Sequence, residues 1–334
     1  MKSNPLWGDK PYYTLNEYCK NRYHEKLYKI AIDAGFTCPN RDGTRGKRGC
    51  IFCSAGGSGD FAVKVFDKED TMQVHATSYH VASAKTVSEQ IREGLALFKE
   101  KQVGNRFIAY FQAYTNTYAL TEHLRALYTQ ALSHPDIAGI SIATRPDCLP
   151  EECLELLAIL QAQFPDKFIW VELGLQTMHE NTAVFIRRGY PLSVFEEALE
   201  GLSKHNIPAI VHVILGLPGE TADMQYATIS YLNKRKPFGI KLQLLHILKG
   251  TDLADYYADS VNGFKALEKQ EYLDLLIGCI ERLSPDIVIH RVTGDGPKDL
   301  LIAPTWSLNK RDVLNSLHKQ MREQGTYQGK LYQP

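Results

Sequence analysis

Three cysteines stand close together in the chain, Cys38, Cys50 and Cys53, spaced C-x11-C-x2-C on a glycine-rich stretch. Thiolates are soft donors, so three of them suit either an iron–sulfur cluster or zinc. A [4Fe–4S] cluster held by only three protein thiolates keeps one iron open for a substrate or cofactor. Structural zinc wants a fourth protein ligand, and His75 or His80 is near enough in sequence to be one. The spacing alone leaves both readings open. The other cysteines, Cys19, Cys148, Cys153 and Cys279, match no metal-ligand spacing and read as small buried hydrophobes. The glycine-rich patch at 55–59 reads as a turn of the cysteine loop, not a nucleotide site.

Such a loop needs a scaffold, and an apolar run at 27–32 leads straight into it. Short apolar runs then alternate with amphipathic segments, the pattern of parallel βαβ units. Strands are expected at 27–32, 107–111, 139–143, 168–173, 209–215 and 240–245, and helices at 86–101, 121–133, 150–163, 192–205 and 221–233. Six βα units are too few for a closed eight-stranded barrel, so the expectation is an open, curved α/β barrel. Ligand-binding residues of parallel α/β folds gather in the loops after the strands, and the cysteine loop follows the first strand. Residues 1–246 are expected to form this core with an N-terminal extension. Residues 247–334 are expected to form an α/β extension packed on it, with helices at 263–284 and 310–323 and a strand at 286–291.

Bulk properties narrow the class. Lys plus Arg and Asp plus Glu each number 38, so no global charge pulls the chain toward nucleic acid, although local patches remain possible. The start of the chain lacks the apolar core of a signal peptide, and seven cysteines is an odd number, so a disulfide framework is not expected. No apolar stretch is long enough to span a bilayer. The expected location is the cytoplasm.

The segment Cys50-Ile51-Phe52-Cys53, with an aromatic before the last cysteine, resembles radical S-adenosylmethionine (SAM) enzymes. Their usual spacing is C-x3-C-x2-C, and long first spacers are found in the branch of the elongator catalytic subunit. Further segments resemble strands and turns of that branch: residues 140–147, Glu172-Leu173-Gly174-Leu175-Gln176, Arg187-Arg188-Gly189 and residues 212–221. More narrowly, residues 38–44, 112–118, 241–246 and 293–296 resemble the group known as YhcC/YtqA, whose Gram-positive members are called MnmL.

The resemblance implies a partial (βα)6 barrel of the radical SAM type. Its cofactors would be a [4Fe–4S] cluster on Cys38, Cys50 and Cys53, and SAM on the open iron. It places Gln112 and Thr115 where a glycine-rich motif usually meets the SAM amine, and Gln176 and Arg188 where relatives contact the ribose and the methionyl carboxylate. His212 falls where relatives place a ribose-binding acid; a buried structural histidine is the other reading. The implied activity converts wobble 5-carboxymethylaminomethyl-(2-thio)uridine of tRNA to the 5-aminomethyl form. An electron donor such as flavodoxin or ferredoxin would be needed, and no membrane partner.

Residues for gripping RNA are present. Arg41, Arg45, Lys47 and Arg48 sit on the cysteine loop, Lys234, Arg235 and Lys236 form a second cluster, and Lys310 with Arg311 a third. Tyr12, Tyr13, Tyr110 and Tyr114 could stack on bases. Charge runs are also simply solvated faces, and no RNA-binding module is recognisable. A radical SAM reaction on another RNA position or a small molecule, or a non-catalytic iron–sulfur or zinc protein, stays open.

Overall fold

The computed structural model describes residues 4–57, 85–100, 104–294 and 296–334. His75, His80, Ser58 and Gly59 lie outside them.

Seven parallel strands follow one another across a single sheet: β1 (Tyr28–Ile32), β2 (Phe107–Phe111), β3 (Ile137–Thr144), β4 (Phe168–Gln176), β5 (Ala209–Leu215), β6 (Gly239–Leu244) and β8 (Val288–Arg291). The short strands β7 (Ile247–Leu248) and β9 (Leu301–Ala303) form a separate antiparallel pair. The helices are α1 (Leu15–Tyr23), α2 (Val87–Glu100), α3 (Thr121–Leu132), α4 (Glu151–Gln163), α5 (Glu180–Phe185), α6 (Leu192–Lys204), α7 (Ala222–Arg235), α8 (Asp252–Ala258), α9 (Lys269–Arg282) and α10 (Lys310–Glu323). Together they make an open, curved half-barrel. Among the described residues no helix is long and apolar enough to cross a membrane.

All six expected core strands are present, and the sheet adds a seventh. That strand comes from the C-terminal extension: Val288 and Ile289 lie in register with Gly239 and Ile240 of β6. The helix expected from 263 starts only at Lys269. Gly263 takes a left-handed φ of 67° that ends a 3₁₀ turn, and Glu268 opens α9 with a capping box to Glu271. Three helices were not legible. In α1 the few apolar residues form no regular stripe, and α5 and α8, at six and seven residues, are too short to show a period.

The outer face of the sheet is apolar and packs against the helices, in one core that includes Ile30, Phe111, Ile142, Val171, Val211 and Leu242. The inner face is layered, because side chains two apart on a strand share a face. At the start of the strands lies an apolar plug of Leu27, Ile108, Phe168, Trp170 and Ile210. Phe168 and Trp170 stack at 3.9 Å, and Tyr18 of α1 meets Trp170 and Phe238 edge-on. Large-to-small changes at such rings cost about 3–5 kcal/mol, so this end of the barrel is firmly shut. Two residues further along each strand come Lys29, Tyr110, Glu172 and His212, and beyond them Ala31, Gln112, Gly174 and Ile214.

The N-terminal segment completes the plug by reaching the far edge of the sheet. Thr14 bridges to Ile289, and the Gln328 side chain accepts from Tyr13 N at 2.8 Å while donating to Ser284 O and Ile287 O. Tyr12 and Tyr13 are buried there, at 3% and 8% exposure. They serve this seal, so they are not platforms for stacking bases.

Candidate functional site

The cysteine loop leaves the C-terminal end of β1 and is held by its own backbone. Arg41 N and Asp42 N donate to Cys38 O, Arg45 N and Gly46 N donate to Pro39 O, and Cys53 N donates to Cys50 O at 3.0 Å. Two distant segments clamp it. Ile51 N donates to Ile186 O at 3.2 Å, and Leu253 N donates to Ile51 O at 2.9 Å. Ile51 also packs with Ile186, Ile214, Leu217, Leu245 and Leu253 in an apolar collar. Buried Asn40 bridges loop and barrel: its amide donates to Arg187 O at 2.8 Å and lies 3.6 Å from Cys50 Sγ. Gly189, with a φ of +84°, makes room for it, since a Cβ there would stand 2.6 Å from Asn40 Oδ1.

Cys38, Cys50 and Cys53 line one wall of a cavity of about 490 Å³ in the half-barrel. Gln112, Thr115, Gln176, Arg188 and His212 line the same cavity, so the fold brings the expected cluster and SAM residues to one place. Thr115 is buried in the turn after β2, where its N–H donates to Thr37 O at 3.2 Å. Gln176 ends β4 with a φ of +67°, and its buried Oε1 has no hydrogen-bond partner. A left-handed non-glycine residue with an unsatisfied amide is the kind of strain found at binding sites. Arg188 is 2% exposed. Its guanidinium donates to Thr177 O at 2.7 Å, Tyr190 O at 3.0 Å and Leu175 O at 3.3 Å, and pairs with Glu180. It therefore secures the end of β4, whatever else it contacts.

Below these residues the cavity floor is charged. Glu172 Oε1 accepts from Lys29 Nζ at 2.9 Å and from Ser141 Oγ at 2.6 Å, and Oε2 accepts from Lys241 Nζ and meets His212 Nε2 at 2.7 Å. Lys241 also donates to Tyr110 Oη at 3.0 Å. Burial opposes ionisation of Glu172, but the ammonium groups of Lys241 and Lys29 outweigh it and hold the carboxyl well below the usual range. Burial, with Lys29 and Arg291 adding to it, drives Lys241 downward against the pull of Glu172. One carboxylate thus joins two lysines, an imidazole and a hydroxyl drawn from four other strands.

His212 is the member of this group that gives up its charge. Burial and the Lys241 ammonium push it down to about 4 against the attraction of Glu172. An unfolded imidazole binds its proton near pH 6.5. Between about 6.5 and about 4 the unfolded chain therefore takes up a proton that the folded chain refuses, and stability falls as pH falls. At 1.36 kcal/mol per unit the loss is on the order of 3 kcal/mol. His246, which burial also pushes down to about 4, adds a similar slope. Urea midpoints of His212→Asn should thus fall less steeply than wild type across this window without becoming flat. An unchanged slope would place the His212 proton elsewhere.

The sequence reading missed the floor, except for His212. A signal was there: the central strands of a parallel sheet are expected to be apolar throughout, yet β4 carries Glu172 and β6 carries Lys241 in otherwise apolar runs. The basic clusters look different in three dimensions. Arg41 donates to Cys53 O and Ser54 O, Arg45 pairs with Asp147 at 2.9 Å, and Arg48 shares Asp252 with Arg187. Three of the four loop cations are thus engaged inside the protein. Lys234, Arg235 and Lys236 end α7 at the plugged end of the barrel, away from the cavity mouth. Tyr114 does reach the mouth, with the Arg41 guanidinium 5.9 Å from its ring.

The donor set fits an iron–sulfur cluster: three soft thiolates share one wall of the cavity. The three thiols are near enough to feel one another: burial pushes Cys50 up to about 12, with Cys53 and Cys38 adding to the effect. Asn40 beside Cys50 is the type of sulfur neighbour that tunes such a centre. Cys148, Cys153 and Cys279, buried and likewise pushed up to about 12, are core residues as expected.

Comparison with known proteins agrees with this geometry. The family model of the Radical SAM superfamily matches residues 41–232, and that of the Radical_SAM C-terminal domain matches residues 237–323. The uncharacterized protein YtqA of Bacillus subtilis is 41% identical over 100% of this chain and 97% of its own length. Protein YhcC of Escherichia coli is 32% identical over 94% of this chain and 93% of its own. Among solved structures, the archaeal Methanocaldococcus infernus Elp3 with an N-terminal deletion shares the fold. Its TM-score is 0.61 at 15% identity, over 72% of this chain and 60% of that one.

Proposed function

The chain belongs to the radical SAM superfamily, in the group of YtqA and YhcC, and on that premise we propose that it modifies tRNA, converting wobble 5-carboxymethylaminomethyl-(2-thio)uridine to 5-aminomethyl-(2-thio)uridine. It is a radical SAM enzyme, with a [4Fe–4S] cluster and SAM as cofactors. When bound at Cys38, Cys50 and Cys53, these supply a 5′-deoxyadenosyl radical able to take a hydrogen atom from the substrate. The chain's own residues orient the partners and keep water away. In this reading Gln112 and Thr115 face the SAM amine, Gln176 and His212 the ribose, and Arg188 the methionyl carboxylate.

One observation supports this reading above the others: the cavity is shut at the plug and lined by the cysteines at its mouth. From Gln176 to Glu172 is four strand residues, about 13 Å, enough to admit a modified base turned out of its strand. The electron donor, a flavodoxin or ferredoxin, would meet the partly exposed cysteine loop, and the reaction would take place in the cytoplasm. Mass spectrometry of total tRNA nucleosides with and without the gene is the direct test, followed by anaerobically reconstituted protein on unmodified-strain tRNA. The 5-aminomethyl nucleoside should disappear without the gene and form in vitro. Turnover of a free metabolite with tRNA left untouched would replace this reading by a small-molecule radical SAM reaction.

The Arg188 assignment makes its own prediction. At equal iron content, Arg188→Ala should weaken SAM binding by about tenfold to a hundredfold, the worth of a charge-assisted hydrogen bond. Arg188→Lys should recover only part, because it keeps the charge and loses the planar fork. Both variants should also lower the unfolding midpoint, since the guanidinium ties Leu175, Thr177 and Tyr190 together. A lowered midpoint with unchanged SAM affinity would leave Arg188 as a strut only.

A further inference from the structure

We propose that Gln243 and His246 form the wall of the cavity that reads the substrate, and that they recognise a planar ring edge carrying an N–H beside a carbonyl, the pattern of a uracil. The residues expected to hold the cluster and SAM come from one side of the half-barrel. They lie in the loop after β1, at and after the ends of β2 and β4, and on β5. Gln243, His246 and Gly294 line the cavity from the other side, on β6 and in the turns that follow β6 and β8. This wall has no part in holding the cofactors.

The hydrogen bonds of His246 fix which ring nitrogen carries the proton. Ser307 has one hydroxyl hydrogen, and Pro304 O accepts it at 2.7 Å. Ser307 Oγ, 3.1 Å from Nε2, therefore accepts from the ring. Burial, with the Lys310 charge adding to it, pushes the imidazole down to about 4. The ring is thus neutral near pH 7, and Nδ1 is a bare acceptor. Nδ1 has no partner among the described residues, yet it remains accessible. Two glycines keep it open: a Cβ at Gly294 would stand 3.2 Å from Nδ1, and one at Gly296 3.4 Å from it. Gln243 lies beside Ile214 in the β5–β6 register, and its amide also has no partner among the described residues. An acceptor that takes no proton near pH 7, on one wall with an amide able to donate, fits the N3–H and a carbonyl of a uracil turned out of its strand. That the uracil is a tRNA wobble base rests on the tRNA reading above; the edge-reading wall itself does not.

The test is equilibrium binding to the reconstituted holoenzyme with SAM present. The probes are anticodon stem-loop RNAs whose wobble base is 5-carboxymethylaminomethyluridine or its N3-methyl derivative, and the free bases uracil and 3-methyluracil. Wild type should prefer the N3–H member of each pair by at least about tenfold. His246→Ala should lose most of that preference, and His246→Asn, which keeps an acceptor, should recover part of it. Gly294→Ala should weaken the N3–H probes by crowding Nδ1 with the histidine intact, and Gln243→Leu should weaken both members of each pair. Unfolding midpoints check that each variant is folded. Stem-loops bound equally by wild type, or a preference that survives His246→Ala, would overturn the proposal and leave the tRNA reading standing. A parallel loss of SAM affinity in His246→Ala and Gln243→Leu would also overturn it, because the adenine edge would then be the occupant. A preference for uracil that depends on His246, with neither stem-loop bound, would uphold the wall and sink the tRNA reading. Failure to bind any probe would overturn both.

Discussion

Replacing any one of Cys38, Cys50 or Cys53 by Ala is expected to abolish both the iron chromophore and the reductive cleavage of SAM. Altering only the hydrogen-bond partner of a metal ligand costs about 10–100-fold in affinity, and losing one thiolate of three costs more. The fold should survive. The loop is shaped by backbone bonds to Cys38 O, Pro39 O, Asn40 O and Ile186 O, and none of these needs a sulfur. Variants should therefore purify folded and colourless. After anaerobic reconstitution, iron content and 5′-deoxyadenosine formation should both sit at background. Cys148→Ala and Cys279→Ala, in the buried core, should keep both. A loop variant that retained cluster and cleavage would remove that cysteine from the ligand set. Zinc found on the three cysteines with His75 or His80 would replace the cluster altogether.

Loss of the Glu172 carboxylate should produce the largest stability change. Glu172→Gln leaves the Lys241 ammonium, 2% exposed, and the Lys29 ammonium without their anion. Removing one partner of a buried ion pair costs about 3–5 kcal/mol, much of it the cost of the charge left behind. The double variant Glu172→Gln, Lys241→Met should recover a good part of that loss, because it removes the stranded charge. Urea unfolding of the two variants decides this, and a double variant less stable than the single one would contradict it. The pH dependence has a definite sign. The folded carboxyl is held well below its usual range, so its contribution is complete above the unfolded value of about 4.3 and is lost as pH falls below it. Glu172→Gln should erase that acid-side loss while leaving the slopes of His212 and His246, which lie between about 6.5 and about 4.

The site was legible where chemistry forces residue choice. Three cysteines at a strand end pointed to a cluster, and Gln112, Thr115, Gln176, Arg188 and His212 were found through motifs that the fold then gathers around one cavity. Strand positions were legible because five-residue apolar runs leave few alternatives. The floor was not, since Lys29, Glu172 and Lys241 belong to strands far apart in sequence and only the sheet register brings them together. The partners of the basic clusters were hidden for the same reason. Nothing local shows that Arg45 will meet Asp147, or that Arg48 will meet Asp252. The plug was hidden too, as α1 has no apolar stripe and earns its place by a few aromatic contacts.

The clamps on the cysteine loop set a timetable for the protein's synthesis. Cys38 to Cys53 leave the ribosome early, but the loop is closed by Ile186 and Arg187 and then by Asp252 and Leu253. The aromatic plug waits longer still, for Ile289 and Gln328 to reach Thr14 and Tyr13. Until residue 253 is made the nascent chain therefore carries three uncovered thiols, and the aromatic surface stays unsealed longer. Such long-range closure is slow and leaves sticky surface exposed. A chain released before residue 253 would offer its thiols to oxygen with no cradle to protect them.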